Sequence, residues 1–286
     1  MSFLVPIMML GWIPFSIILF RKLSHQKATL IVVIGGVLFL PVAAYDIPMI
    51  IYNKETAIAV SLLFGMIFSE AIADQAFKLK QIDIPIITWC MISHFLSFLS
   101  NDLGLYNAFA AIVQNSLIYG TFYLAGRIYF PDNDSLRLLI KGIIIGGIIY
   151  VPLVFYEVRM SPQLSNNIYG FFPHSFIQCY RYGGFRPIIF MEHPLMVSMW
   201  MAVAFTVSFW LYKSKEIIVI QKIPMFLIIL LLLLASLLCK SANGWIYIAL
   251  GIASYYYFTI LKSKKLFKLL LLIIPLYIIL RLSGIL

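Results

Sequence analysis

Long apolar segments follow one another along almost the whole chain, and they constrain the fold more than any other feature. A helix needs about 20 mostly apolar residues to cross the hydrocarbon part of a bilayer. The predicted spans are residues 3–20, 28–45, 57–74, 84–100, 105–126, 137–157, 188–212, 223–239, 243–261 and 266–283. This pattern predicts an all-α fold, a polytopic transmembrane helical bundle of about ten spans that forms a single transmembrane domain over residues 1–286.

The composition agrees with this interpretation. Hydrophobic residues make up 63% of the chain, charged residues only 11%, and the mean hydropathy is +0.99. Soluble domains are about half apolar and about a quarter charged. Folded in water, this chain would leave large apolar areas exposed, whereas lipid removes that conflict. No basic segment precedes the first apolar run, so we expect a retained span and not a cleaved signal peptide.

The basic residues indicate an orientation. The net charge of +10 is spread in short clusters between the apolar runs, so we expect no nucleic-acid partner. Cytoplasmic loops carry an excess of Lys and Arg. The larger group lies on one side of the predicted topology: Arg21, Lys22, Lys27, Lys78, Lys80, Arg127, Arg137, Lys141, Lys213, Lys215, Lys222, Lys262, Lys264, Lys265 and Lys268. The smaller group lies on the other: Lys54, Arg159, Arg181, Arg186, Lys240 and Arg281. The first side is therefore predicted to be cytoplasmic, with both termini outside.

One long connection, residues 158–187, interrupts the rhythm of short loops and is predicted to lie outside the cell. It ends in Arg181-Tyr-Gly-Gly-Phe-Arg186-Pro187. Two arginines flank a glycine pair that lets backbone approach a ligand closely. The planar fork of arginine suits phosphate oxygens, which predicts a site for a lipid-linked diphosphate. The alternative is that both arginines only anchor the loop to lipid headgroups.

Two further segments hold candidate site residues. Glu192 and His193 stand at the start of the seventh predicted span, where ionisable groups are costly and usually functional. His193 is a candidate proton carrier, although a purely structural hydrogen bond is the favoured alternative. The turn from Lys240 to Gly244 joins two apolar spans on the outer side, and Lys240 would neutralise a phosphate there. Its alternative is a helix C-terminus with a favourable lysine.

The remaining polar residues carry weaker signals. Glu70 and Asp74 share one face of the third predicted span, and His94 lies in the fourth. We expect them to pair inside the bundle. The three cysteines, Cys90, Cys179 and Cys239, fit neither a disulfide framework nor a metal motif. No nucleotide-binding loop and no metal-ligand spacing occurs, so we expect no cofactor and no metal.

The sequence resembles the O-antigen ligase and polysaccharide polymerase family of bacterial membrane enzymes over roughly residues 105–286. The likeness rests on Gly183-Gly184-Phe185-Arg186-Pro187 closing an outer loop and on His193-Pro194 followed by an apolar span with Trp200. It also rests on a leucine-rich span that ends in Lys240-Ser241-Ala242-Asn243-Gly244. The family pattern has an Arg…His-Pro or His-Gly pair and a Ser-Arg-Gly or Lys-Ser-x-Gly turn at these places.

The resemblance implies a metal-independent membrane glycosyltransferase at the outer face of the bacterial inner membrane. Such enzymes transfer or polymerise a glycan from undecaprenyl diphosphate onto an acceptor glycan or lipid. The matched positions imply Arg186 and His193 as catalytic residues. They imply Arg181, Arg186, Lys240 and Ser241 as residues that bind the substrate.

Family members continue beyond the position where this sequence ends, with a further outer loop that carries the acceptor-activating histidine. We therefore expect the C-terminal part of such an enzyme to be missing here. Two alternatives remain at the level of sequence. A transporter or flippase for a lipid-linked glycan would need a charged path, for which Glu70, Glu192 and His94 are too few and too scattered. The other alternative is a non-catalytic, truncated membrane subunit.

Overall fold

The computed structural model describes residues 2–69, 79–220, 222–262 and 265–284. In this part of the chain, the fold is almost entirely helical. The longer helical segments are α1 (Leu4–Lys22), α2 (His25–Phe39), α3 (Lys54–Phe68), α4 (Gln81–Ser100), α5 (Leu105–Tyr129), α6 (Asn133–Met160), α8 (Pro194–Lys213), α9 (Met225–Leu238), α10 (Ala242–Leu261) and α11 (Lys265–Leu282). A one-turn helix, α7 (Leu164–Tyr169), lies in the long connection.

Three short antiparallel hairpins complete the fold. The first pairs β1 (Ala44–Ile47) with β2 (Ile50–Asn53) between α2 and α3. The second pairs β3 (Tyr180–Arg181) with β4 (Gly184–Phe185) in the long connection. The third pairs β5 (Val219–Ile220) with β6 (Ile223–Pro224) before α9. Each predicted span therefore has a helical counterpart, and the strands occur only in connections.

Length and composition support an all-α membrane protein. Six of the described helices, α1, α4, α5, α6, α8 and α10, are long and apolar enough to cross a membrane. The apolar helices α2 and α9 have 15 and 14 residues and are shorter than a full crossing. The count of ten crossings therefore stays a prediction. Glu70, Asp74 and Lys78, on which part of the third span and its loop depend, lie outside the described residues.

Proline explains two boundaries that the sequence reading misplaced. The second span was predicted to reach residue 45, but α2 ends at Phe39 because Leu40 precedes Pro41 and adopts an extended conformation. The seventh span was predicted to begin at residue 188, but α8 begins at Pro194. Proline fits the first helical position because it has no N–H to satisfy there. Residues 188–193 belong to the outer connection instead.

The centre of the bundle is the contact of α6 with α2, α8 and α9. A Cβ atom on Gly147 would lie 2.7 Å from Cβ of Ala204 on α8 and 3.0 Å from a methyl of Leu232 on α9, so only glycine permits this approach. Small residues bring helices together in this way in membrane proteins. Tyr150, one turn further along α6, is fully buried and donates its hydroxyl to the carbonyl oxygen of Leu38 at 2.5 Å. This hydrogen bond gives a partner to a backbone carbonyl group at the C-terminal end of α2.

Ion pairs fix the end of the bundle that is predicted to be cytoplasmic. Asp83, which is buried at the start of α4, accepts hydrogen bonds from Arg127 and from the hydroxyl of Tyr123 on α5. Arg137 at the start of α6 lies 3.2 Å from the carboxylate of Glu216, which follows α8. These bonds join the ends of helices that the distribution of basic residues predicts to lie on the cytoplasmic side.

The orientation can be tested with single cysteines at exposed positions. We expect a cysteine at Asn167 to react with a membrane-impermeant maleimide from outside intact cells, and one at Lys215 to react only after the membrane is opened. The native cysteines Cys90, Cys179 and Cys239 are free and buried, so their background labelling is slow. Labelling of both engineered positions from the same side would contradict the predicted orientation, because α8 alone separates them.

Candidate functional site

The carboxylate of Glu157 holds the long connection between α6 and α8 in place. It is fully buried near the end of α6. One oxygen accepts the backbone N–H of Leu164 at 2.9 Å, and the other accepts the N–H groups of Ile188 and Ile189 at 2.8 Å each. Backbone donors that bind an ionised carboxylate form short, strong hydrogen bonds. Glu157 thus joins the beginning of the connection to its end, 24 residues later, and fixes the segment that follows Arg186.

Two more bonds attach the connection to neighbouring helices. The ammonium group of Lys54, at the start of α3, donates to the carbonyl oxygen of Phe190 at 2.8 Å. The hydroxyl of Tyr169 donates to the carbonyl oxygen of Phe39 at 2.5 Å, and the ring of Tyr169 packs edge-on against that of Phe190. The connection is therefore also attached to α2 through Tyr169 and to α3 through Lys54.

The hairpin β3–β4 contains most of the Arg181–Pro187 segment, from which the phosphate-binding site was predicted. Its two-residue turn consists of Tyr182 and Gly183, both with positive φ, at +50° and +69°. Such turns match the twist of paired strands. The second glycine, Gly184, is required for a different reason, because a Cβ atom there would collide with Nζ of Lys240. The glycine pair thus forms the turn and brings the hairpin against the Lys240 ammonium group.

Arg186 lies directly after the hairpin and is only 3% exposed. Its Nη1 donates to the carbonyl oxygen of Gln178 at 3.2 Å, whereas the buried Nε and Nη2 have no hydrogen-bond partner among the described residues. Nε and Nη2 form one edge of the guanidinium plane, the edge that binds two oxygens of a phosphate or carboxylate. Burial lowers the pKa of Arg186, and nearby Arg181 lowers it further. An arginine nevertheless stays protonated in proteins, so the charge remains.

The turn between α9 and α10 lies beside Arg186. Lys240 adopts a left-handed conformation, with φ at +49°, and its ammonium group lies against Gly184 of the hairpin. The next residue, Ser241, is the N-cap of α10, yet its fully buried hydroxyl caps nothing and has no partner among the described residues. The first N–H groups of a helix have no intrahelical acceptor, and they favour an anion.

Ser198 of α8 adds a second hydroxyl at the same helix end. It is fully buried, and its Oγ also has no partner among the described residues. A Cβ on Gly244, in the first turn of α10, would lie 2.1 Å from this oxygen. The hydroxyl of Ser198 therefore points at the first turn of α10. Arg186, Ser241 and Ser198 thus carry buried donors without acceptors among the described residues, and Lys240 is a half-buried cation against the hairpin. We call these four residues the anion cluster.

An aromatic stack covers the outer side of the anion cluster. The ring of Tyr182, at the tip of the hairpin, stacks on that of Trp245 in α10, with centroids 5.7 Å apart and planes inclined by 21°. The guanidinium group of Arg181 lies 5.3 Å from the centroid of the Tyr182 ring. Arg181 is exposed, so the structure places it at the surface next to the anion cluster and not inside it. The stack attaches the hairpin to α10.

His193 occupies a different place from the anion cluster. It is the N-cap of α8, where its Nδ1 accepts the backbone N–H of Leu195 at 3.0 Å. Nδ1 is therefore unprotonated, and Nε2–H donates to the side-chain oxygen of Gln178 at 3.0 Å. His174 contacts the same oxygen at 2.9 Å. Both nitrogens of His193 thus make structural hydrogen bonds, the alternative that the sequence favoured, and a catalytic role stays a prediction.

Gln178 and Ser198 are functional candidates that sequence reasoning missed, as is Glu157. The backbone carbonyl of Gln178 holds Arg186, while its side chain holds His193. No local motif marks these residues, because their partners are backbone groups or residues distant in sequence. The sequence did point to Arg186, Lys240 and Ser241. In the structure Lys240 contacts Gly184, two residues before Arg186, and Ser241 follows Lys240, while their role as a site stays a prediction. The described residues contain no group of His, Cys, Asp or Glu that would hold a metal ion.

Comparison with models of protein families, with curated proteins and with solved structures gives no match. The resemblance to the O-antigen ligase family therefore rests on the residues quoted above, and it stays a prediction. What the fold and the site define is a class: an all-α membrane protein with a buried cationic cluster at one end of its bundle.

Replacing Glu157 tests its role in fixing the connection. In Glu157→Ala, the three buried N–H groups lose their acceptor, and each unsatisfied buried donor costs about 1–3 kcal/mol. We expect limited proteolysis of the purified protein to cleave residues 161–193 at least tenfold faster. The matched control is Glu192→Ala, since Glu192 is exposed and close to the same segment. Equal cleavage rates for the two variants would show that Glu157 does not hold the connection.

The cap at α8 predicts a dependence of stability on pH. Burial lowers the pKa of His193 below its ordinary value of 6.5, and His174 and Arg186 lower it further. Because the pKa is lower in the folded state, protonation of His193 opposes folding. The contribution of His193 to the free energy of unfolding is therefore complete above pH 6.5 and is lost as the pH falls through the folded-state pKa. The variant His193→Asn keeps a capping acceptor that does not titrate. We expect the wild-type protein to lose thermal stability relative to this variant between pH 7.5 and pH 5; parallel profiles would contradict the assignment.

Proposed function

We propose that this protein is a membrane glycosyltransferase of surface polysaccharide assembly, of the O-antigen ligase or polymerase type. It would act at the outer face of a bacterial inner membrane on a glycan linked to undecaprenyl diphosphate. The single observation that carries the proposal is the unpaired Nε/Nη2 edge of Arg186, buried directly after the hairpin that contacts Lys240. An arginine with a buried unpaired edge is costly unless a ligand supplies the acceptors.

The chemistry of the cluster suits a diphosphate better than a single carboxylate. Arg186 offers two parallel donors, and Lys240 adds a second cation. Ser241, Ser198 and the first turn of α10 add neutral donors. A diphosphate carries several acceptor oxygens and more than one negative charge, so it can use both cations at once. The phosphate-linked end of a lipid-linked glycan supplies this combination at the membrane surface.

In the proposed reaction, the acceptor hydroxyl oxygen bonds to the anomeric carbon of the donor sugar. The bond from that carbon to the diphosphate oxygen breaks, and the acceptor hydroxyl loses its proton. Negative charge accumulates on the departing diphosphate, and fixed cations stabilise it without reorganisation. This is the role of Arg186 and Lys240. His193 remains a candidate for the proton, which it would accept only after one of its nitrogens leaves its present partner.

Access to the cluster requires motion. The Nε and Nη2 atoms of Arg186 are closed off from solvent. A diphosphate therefore reaches them only when the β3–β4 hairpin moves away from α10. The Tyr182–Trp245 stack is the contact that must separate. A closing hairpin would also exclude water, which would otherwise compete with the acceptor hydroxyl.

Arg186 is tested in cells that depend on this protein for surface glycan. We expect Arg186→Ala to reduce glycan assembly by about 100-fold or more, in line with the loss of one transition-state donor. Arg186→Lys keeps the charge but loses the two-pronged edge, so it should also fail. The control is Arg159→Ala, an exposed cation near the same end of the bundle. Protein levels are compared by immunoblot. Normal glycan in the Arg186→Ala strain would refute the arginine site, whatever the effect of Arg181→Ala.

Lys240 allows function and stability to be separated. Because its φ is +49°, glycine suits the position better than lysine, and Lys240→Gly should leave thermal stability unchanged or raise it by up to about 1 kcal/mol. Glycan assembly should nevertheless fall at least tenfold, since the second cation is gone. The matched control is Lys262→Gly, at the other end of α10 with φ at +46°. If Lys240→Gly assembles as much glycan as Lys262→Gly, Lys240 does not contact the diphosphate.

A further inference from the structure

A long apolar groove runs along the outside of the bundle between α1, α2 and α6. Its volume is about 620 Å³, within the usual range for sites that hold small molecules. Trp12 and Phe15 line it from α1, and the remaining walls come from α2 and α6, including Leu30, Ile31, Ile34, Leu38, Leu138, Ile145 and Ile149. The groove is separate from the anion cluster, none of whose residues line it.

Two close contacts shape the floor of the groove. A Cβ on Gly142 of α6 would lie 3.2 Å from a methyl of Ile34 on α2, so this glycine lets the two helices lie close together. The indole N–H of Trp12 donates to the carbonyl oxygen of Val32 at 3.1 Å, which fixes the ring against Gly35. On α2 the groove extends from Lys27 to Phe39, a helical distance of about 18 Å at 1.5 Å per residue. This is more than half of the hydrocarbon thickness of about 30 Å.

The charge at one end identifies the occupant. Lys27 and Lys141 both line the groove at the end predicted to be cytoplasmic, and both are exposed. No carboxylate lines the groove, and within the described residues neither lysine forms an ion pair. Arg137, the neighbouring cation on α6, contacts Asp134 and Glu216 instead. An apolar groove with two ammonium groups at one end is complementary to a lipid whose acyl chain is linked to a phosphate.

We propose that this groove binds one anionic phospholipid, with an acyl chain along α2 and the headgroup phosphate between Lys27 and Lys141. The lipid completes the packing of α1, α2 and α6 on the side of the bundle that faces the membrane. Each lysine near an anionic headgroup strengthens binding severalfold. The site does not depend on the proposed glycan transfer, because it uses neither Arg186 nor Lys240.

The test is native mass spectrometry of the purified full-length chain in detergent, titrated with phosphatidylglycerol or with phosphatidylcholine of identical acyl chains. We expect the first phosphatidylglycerol to bind at least tenfold more tightly than phosphatidylcholine. The double variant Lys27→Ala/Lys141→Ala should abolish that preference. The matched control is Lys213→Ala/Lys215→Ala, which removes two exposed cations that are predicted to lie on the same side but do not line the groove.

A second variant tests the groove itself. Ile31→Trp fills the groove while both lysines remain, because Ile31 is an exposed residue of α2 that lines the groove. We expect this variant to bind the first phosphatidylglycerol molecule no more tightly than phosphatidylcholine. Equal binding of the two lipids to the wild-type protein, or a preference that survives both the double variant and Ile31→Trp, would overturn the proposal. Undecaprenyl phosphate that displaces phosphatidylglycerol at equal concentration would overturn the choice of occupant.

Discussion

The buried carboxylate of Glu157 makes the hydrogen bonds on which the candidate-site end of this protein depends. The long connection contains no acidic side chain of its own between residues 158 and 187. Glu157 stands one residue earlier, at the end of the longest helix, and holds both ends of the connection through three backbone N–H groups. Arg186 precedes the second attachment by two residues. Its position therefore follows from a bond that its own side chain does not make.

The rest of the site depends on close contacts between the hairpin, α8 and α10 that only small residues allow. Gly184 admits the ammonium group of Lys240, and Gly244 admits the hydroxyl of Ser198. These contacts bring an arginine from a loop, a lysine from a turn and a serine from a helix to the N-terminus of α10. The result is a concentration of donors that the described protein does not satisfy. Such a cluster is costly in isolation, and a polyanionic ligand would remove the cost.

Much of the helical framework could be predicted from the sequence, because apolar length and loop charge are local properties. The prediction was wrong about the C-terminal end of α2 and the start of α8, where prolines set the boundaries. Arg186 could be proposed because it follows a glycine pair in the long loop, Lys240 because it is a cation in a short polar turn, and Ser241 through the family resemblance. Glu157, Gln178 and Ser198 did not, because each acts through backbone groups or through residues far away in the chain. His193 is the opposite case, a residue that is prominent in the sequence but has a structural role. Its position before Pro194 is explained by helix capping.

The most direct measurement is the affinity of the purified protein for a short-chain polyprenyl diphosphate, compared with the matching monophosphate and alcohol. With an Arg186 edge that binds the diphosphate, the wild-type protein should prefer the diphosphate over the alcohol by at least 100-fold. Arg186→Ala should lose most of this preference, while its affinity for the alcohol stays unchanged. An equal preference in the wild-type protein and in Arg186→Ala would contradict the account, because the unpaired arginine would then have no ligand among these lipids.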